Sequence, residues 1–195
     1  MKKLLTLNSA GRLALRGANG YETEVRTEHP NVLLLIDTSG SMHGSKFEQA
    51  KSGAIDFAAS AVNKGYYAAL AIFGDRAAMV CDPTPDVKIF SSKLTRLSVG
   101  LVGSSTDLAA GLILAGKFPK LAAVVLVTDG QTTQEPALRA ASLLKARGTE
   151  IICIGTDDAD RQFLQKIATS ANLAMHVSAG KLRSAMDDAS RLLKG

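Results

Sequence analysis

The sequence predicts an α/β fold: a doubly wound, mostly parallel central sheet flanked by helices, with a small β ribbon at the N-terminus. Three observations predict it. Short uninterrupted apolar runs such as Val32-Leu33-Leu34-Leu35-Ile36 and Val124-Val125-Leu126-Val127 read as strands buried on both faces. Between such runs lie longer segments whose apolar residues recur every three or four positions, the period of a helix with one buried stripe. The two kinds of segment alternate from residue 31 to the end, as a parallel sheet with crossover helices requires.

Residues 1–30 stand apart as a polar, turn-rich extension. Arg12-Leu13-Ala14-Leu15-Arg16 alternates, 21–27 leans towards β structure, and Asn19-Gly20 between them is a hairpin dipeptide, since both residues tolerate positive φ. They predict an antiparallel ribbon packed on a main domain of residues 31–195. His29-Pro30 punctuates the boundary. The run 32–36 is the first buried strand. Over 45–63, Phe47, Ala50, Ala54, Phe57, Ala58 and Ala61 form one helical stripe, closed by Gly65 as C-cap. Residues 67–73 form a second strand. Met79-Val80-Cys81 and Val87-Lys88-Ile89-Phe90 are shorter runs separated by two prolines, and they suit an edge strand followed by a connection. Helices are expected over 106–117, 135–147, 160–169 and 181–193, and strands over 122–128, 150–155 and 174–177.

A length of 195 residues suits one domain with its own core, and an apolar fraction of 46% excludes disorder. The formal charge of +5 suits an acidic partner, but no stretch stacks Lys and Arg with aromatics, so nucleic acid is not indicated. Cys81 and Cys153 are far apart, and Cys153 lies in an apolar run; both read as small buried thiols rather than as a disulfide or a zinc site. With no disulfide framework, a reducing, cytoplasmic setting is expected. Met1-Lys2-Lys3-Leu4-Leu5 begins like a signal peptide, but its apolar stretch ends at Asn8-Ser9, too short for an export core. No later run is long enough to span a bilayer, so no membrane role is expected.

In open α/β sheets the chemistry lies beyond the carboxyl ends of the strands. There the first buried strand ends in Asp37-Thr38-Ser39-Gly40-Ser41-Met42, a carboxylate and two hydroxyls at alternate positions in a tight loop. Thr106-Asp107 opens a helix after the loop 100–105, and Asp129-Gly130 follows the strand at 124–128. The three segments should converge at one end of the sheet. Their donors are all oxygen, which suits hard cations such as Mg²⁺, Mn²⁺ or Ca²⁺.

Asp37-Thr38-Ser39-Gly40-Ser41 resembles the DxSxS signature of the metal-ion-dependent adhesion site (MIDAS) in von Willebrand factor A and integrin I domains. Thr106 and Asp129 match the family's threonine and aspartate in the second and third loops, in order and in context. The resemblance runs from about residue 31 to the C-terminus. It implies that Ser39 and Ser41 bind Mg²⁺ through their hydroxyls, and that Asp37 and Asp129 hold it directly or through water. Thr106 joins when a ligand engages. It further implies that an Asp or Glu of a protein partner completes the shell, and that no reaction is catalysed. Relatives that work beside AAA-type ATPases or metal chelatases make such a component a plausible partner. Ser104-Ser105 stands where many bacterial relatives carry glycines, a departure in the loop rim rather than in the metal set.

Each of Asp37, Ser39 and Ser41 alone would read as a helix cap. The five together, in order, do not. Asp107 reads as a cap, and His43 as rim, since imidazole is a poor ligand for Mg²⁺. Asp157, Asp158 and Asp160 read as loop and cap rather than as a second metal site. His29 and His176 show no evident partner. Leu101 and Val102 stand open between partner contacts and burial. Two other functions compete with this one. A Mg²⁺-dependent phosphatase of the haloacid dehalogenase type needs a second acid two residues after its aspartate, where this chain has Ser39. An RNA-associated scaffold has only the mild basic charge in its favour.

Overall fold

The computed structural model describes residues 29–130 and 132–194, together with the backbone of three N-terminal strands. Those strands are β1 (Leu4–Leu7), β2 (Leu13–Arg16) and β3 (Glu22–Glu24), an antiparallel sheet in the order β1-β2-β3. The expected ribbon is therefore present as β2 and β3, with Ala14 opposite Glu24 and Arg16 opposite Glu22. β1 is an addition: the apolar stretch Leu4–Leu7 is a strand paired with β2. The Asn19-Gly20 turn and the expected packing of the ribbon on the main domain lie outside the described residues.

The main sheet has six strands in the order β6-β5-β4-β7-β8-β9. They are β4 (Asn31–Asp37), β5 (Tyr67–Phe73), β6 (Ala77–Thr84), β7 (Leu121–Thr128), β8 (Glu150–Thr156) and β9 (Ala174–Val177). All pair in parallel except β6, which returns antiparallel beside β5. The apolar runs are the central strands because only there does a strand lose water on both faces. Val32 to Ile36 on β4 and Val124 to Val127 on β7 have no exposed surface. Pro83 falls on the edge strand β6, where a missing N–H costs no ladder bond.

The helices are α1 (Ser45–Asn63), α2 (Val87–Leu94), α3 (Leu108–Ala115), α4 (Gln134–Ala146), α5 (Arg161–Ile167) and α6 (Leu182–Leu192). The crossovers β4-α1-β5 and β7-α4-β8 run in opposite directions along the sheet. With right-handed connections, that places α1 and α4 on opposite faces. α6 and α2 pack beside α1, and α3 and α5 beside α4.

Within the main domain one element differs in kind from expectation. Residues 87–90, read as a short run after an edge strand, open the helix α2. Four residues cannot separate the two periods. What decides it is Asp86, whose carboxylate accepts from Lys88 N at 2.8 Å and Ile89 N at 3.3 Å as an N-cap. Phe90 and Leu94, four apart, then bury one face while Ile89 stays exposed. Among the described residues no helix is long and apolar enough to cross a membrane.

Candidate metal centre

The strand order reverses between β4 and β7: the chain leaves β4 to one side and returns to β7 on the other. Ile36 lies opposite Val127, which sets Asp37 level with Thr128 and brings Asp129 one residue further on, where both strands end. This crevice is the usual ligand position of an open α/β sheet.

Asp37 is fully buried. Its Oδ1 accepts from Ser39 N at 2.8 Å and its Oδ2 from Thr128 Oγ1 at 2.6 Å. Burial pushes its carboxyl pKa up, the bonds from Thr128 and Ser39 pull it down, and the negative charge of Asp129 raises it again. Ser39 Oγ lies 3.2 Å from Ser41 Oγ, which donates to Asp129 Oδ1 at 2.7 Å. Asp129 is 2% exposed. A continuous oxygen chain thus runs from Ser39 through Ser41 to Asp129.

Thr106 reaches the same place from the second loop. A Cβ added to Gly130 would stand 2.7 Å from Thr106 Oγ1, so the glycine after Asp129 makes room for that side chain. Backbone bonds tie the loops together. Gly40 N donates to Ser104 O at 3.0 Å, Gly100 N to Thr38 O at 2.7 Å and Asp107 N to Gly74 O at 2.7 Å. Thr132 Oγ1 donates to Thr106 O at 2.8 Å and accepts from Leu108 N at 3.3 Å, linking the third loop to the second.

The donor chemistry fits a hard divalent cation. Adjacent ligands of an octahedral Mg²⁺ are roughly 3 Å apart, and the Ser39–Ser41–Asp129 oxygens are spaced at 3.2 and 2.7 Å. Burial and the neighbouring charge of Asp129 make the Asp37 carboxyl costly to ionise, a cost that a cation held between the two would relieve. Among the described residues no group of three or more His, Cys, Asp or Glu is arranged to hold a metal.

The structure brings all five expected residues to one edge and adds four more. Lys46, in the first turn of α1, reaches Asp129 Oδ2 at 2.5 Å and Asp157 Oδ2 at 2.9 Å. The bond to Asp129 leads in raising its pKa, and the bond to Lys46 lowers that of Asp157. A cation at a helix N-terminus opposes the dipole, which was the available signal that Lys46 has a carboxylate partner. Asp75, just beyond β5, accepts from Ser105 N at 2.7 Å and Ser105 Oγ at 2.5 Å, bonds that hold its carboxyl below the usual range. Gly103, at φ 106°, lies against that carboxylate. Thr128 and Thr132 complete the set. Neither they nor Asp75 carries a local sequence signal, because their partners are about 25 to 90 residues away.

The remaining expectations divide. Asp107 caps α3 through Ala110 N at 3.0 Å, and Asp160 caps α5 through Phe163 N at 2.9 Å. His29, expected to have no partner, stacks on Tyr67 at 4.9 Å and bonds to Gly65 O. Leu101 is exposed and Val102 buried. His43 is exposed beside the loop.

Sequence comparison matches residues 31–189 to the von Willebrand factor type A domain. A comparison with curated proteins finds no match. Among solved structures, the vWF domain of the type V pili tip protein Mfa5 from Porphyromonas gingivalis gives a TM-score of 0.74 at 15% identity. It covers 86% of this chain and 97% of that one. Proximal thread matrix protein 1 from the mussel byssus gives 0.73 at 22% identity, covering 84% of this chain and 45% of the mussel chain. This chain thus spans under half of the mussel protein's length. A structure of that mussel protein has a zinc-occupied MIDAS motif. Identities of this size speak to the fold alone.

Proposed function

The chain belongs to the von Willebrand factor type A domain family, and from that premise we propose that it is a metal-dependent protein-interaction module rather than an enzyme. Domains of this family often hold a divalent metal at a MIDAS, as one structural neighbour holds zinc. Ser39, Ser41, Asp129 and Thr106 would hold the ion here, with Asp37 behind them, and the all-oxygen set favours Mg²⁺. When bound, the ion supplies an electrophilic position for an anionic oxygen. An Asp or Glu of a protein partner would fill it, and a component of an AAA-type ATPase or chelatase system is the class of partner proposed.

The observation that carries this reading is the run of oxygens from Ser39 to Asp129, backed by the buried Asp37. Both oxygens of Asp37 accept hydrogen bonds, from Ser39 N and Thr128 Oγ1, which supports a role in holding the site together. The acid that a phosphatase needs two residues later is Ser39. Rim groups give the partner polar handles: Asp75, Ser105, Thr106, Asp107, Thr132 and Thr133 line an open cleft of about 590 Å³. A cytoplasmic location belongs to the same proposal, supported by two free, buried thiols.

The test is a pull-down from native lysate in Mg²⁺, repeated in EDTA and with Asp37→Ala, read by mass spectrometry. A protein captured only by the intact site with metal supports the reading and identifies the partner. Equal capture under all three conditions, or capture of nothing, overturns it.

A further inference from the structure

Lys46 projects from the first turn of α1 into the acidic edge of the site. Its ammonium has three donors, and three acceptors meet it: Asp129 Oδ2 at 2.5 Å, Asp157 Oδ2 at 2.9 Å and Ser41 O at 3.0 Å. The side chain is 22% exposed, so the charge is partly withdrawn from water. Asp129 is divided between two neighbours. Its Oδ1 faces the hydroxyl of Ser41, and its Oδ2 faces the ammonium. Asp37, Asp129 and Asp157 bring three negative charges to this edge, and Lys46 returns one positive charge.

We infer that Lys46 is a tethered cation that shares Asp129 with the bound divalent metal, lowering the site's affinity for metal and holding the edge together without it. This rests on the metal-site reading above. Two effects of opposite sign compete. The lysine orients Asp129, which would help the metal bind, and its charge repels a second cation on the same carboxylate. Orientation survives without it, because Ser41 Oγ still donates to Asp129 Oδ1 at 2.7 Å. Repulsion does not survive without it, and at this range in a partly buried site it is the larger effect. The same charge balance favours an anionic ligand. Lys46 offsets one negative charge at this edge, and removing it would make the edge more negative towards a partner's carboxylate.

The experiment measures Mn²⁺ affinity by calorimetry and thermal stability in EDTA for the whole chain and three variants. Lys46→Met removes the charge and keeps an apolar stem, Lys46→Gln removes the charge and keeps a donor, and Lys46→Arg keeps the charge. The two neutral variants should bind Mn²⁺ at least about fivefold tighter than wild type and melt lower in EDTA, while Lys46→Arg should not gain affinity. Unchanged or weaker Mn²⁺ binding in a folded neutral variant overturns the inference and leaves the metal reading standing. Wild-type protein that binds no Mn²⁺, or binds it as well after Asp37→Ala, overturns both. Should Lys46→Met fail to fold even with Mn²⁺, Lys46→Gln decides.

Discussion

Thr128 Oγ1 donates to Asp37 Oδ2 across 2.6 Å, so the strand that delivers one site carboxylate also holds the other. Thr128 ends β7 immediately before Asp129, and Asp37 ends β4 beside it. The same hydroxyl accepts from Gly130 N at 3.2 Å. One side chain thus fixes the first acid and the turn that follows the second.

Thr128→Val keeps the shape and removes the hydroxyl. A buried carboxylate then loses one of its donors, and burial and the charge of Asp129 push its pKa further up. The expected cost is roughly 1–3 kcal/mol for the metal-free protein in urea unfolding, with Thr128→Ser close to wild type. An unfolding midpoint for Thr128→Val equal to wild type would mean the bond contributes little.

Asp75→Ala should loosen the second loop without unfolding the domain. Its carboxylate binds Ser105 through both amide and hydroxyl, and the residue is exposed, so the core does not depend on it. Amide hydrogen exchange at Ser105 should speed up while the amides of β4 and β7 keep their protection. Uniform exchange across all of these would show a global effect instead.

Gly130→Ala tests the placement of Thr106 directly. Gly130 has no positive φ, so the backbone accepts alanine, and only the space is short. The new Cβ meets Thr106 Oγ1 at 2.7 Å and must displace it. Thermal stability without metal should stay near that of wild type, while the stabilisation given by Mn²⁺ should shrink. An unchanged response to Mn²⁺ would remove Thr106 from the metal's neighbourhood.

Much of this was legible in the sequence because the informative features are local. An apolar run bounded by Asp37 or Asp129 shows a strand and its end together, and Asp107 shows its capping role within one turn of the helix it opens. What stayed hidden depends on distant residues. Asp75 and Ser105 are 30 residues apart, and Lys46 and Asp129 are 83 apart. Such pairs form only once the sheet sets its strand order. The helix α2 is hidden for a different reason: its first turn, 87–90, is too short to show a period, and Leu94, which completes its buried face with Phe90, lies a turn further on.

A bound divalent ion should stabilise the fold through Asp37. At about one hundred times its dissociation constant, a ligand that binds only the folded state adds about 2.7 kcal/mol, or roughly 5–10 °C in melting temperature for a chain of this size. Mg²⁺ or Mn²⁺ should produce that rise in wild type, EDTA should reverse it, and Asp37→Ala should abolish it. A rise that persists in Asp37→Ala would place the ion elsewhere on the protein.

Cys153 gives the domain a pH dependence independent of the metal edge. It lies in the middle of β8 with no exposed surface, and burial pushes its thiol from 9.0 up to about 12, against a small opposing pull from Lys145. Below pH 9 the thiol is protonated in both folded and unfolded chains, so it contributes no slope. Between 9 and 12 the unfolded chain releases the proton and the folded chain keeps it. Stability therefore falls as pH rises, by roughly a tenfold change in the folding equilibrium per unit. Other groups titrate in the same window, so the informative quantity is the difference from Cys153→Val, which removes the thiol and suits a strand. Urea midpoints from pH 8 to 10.5 should fall more steeply for wild type than for the variant. In the native state at pH 8, a thiol reagent should leave Cys153 unmodified until denaturant is added, since the attacking species is the thiolate. Parallel midpoint curves, or rapid native labelling at Cys153, would show that β8 opens to water far more readily than its burial implies.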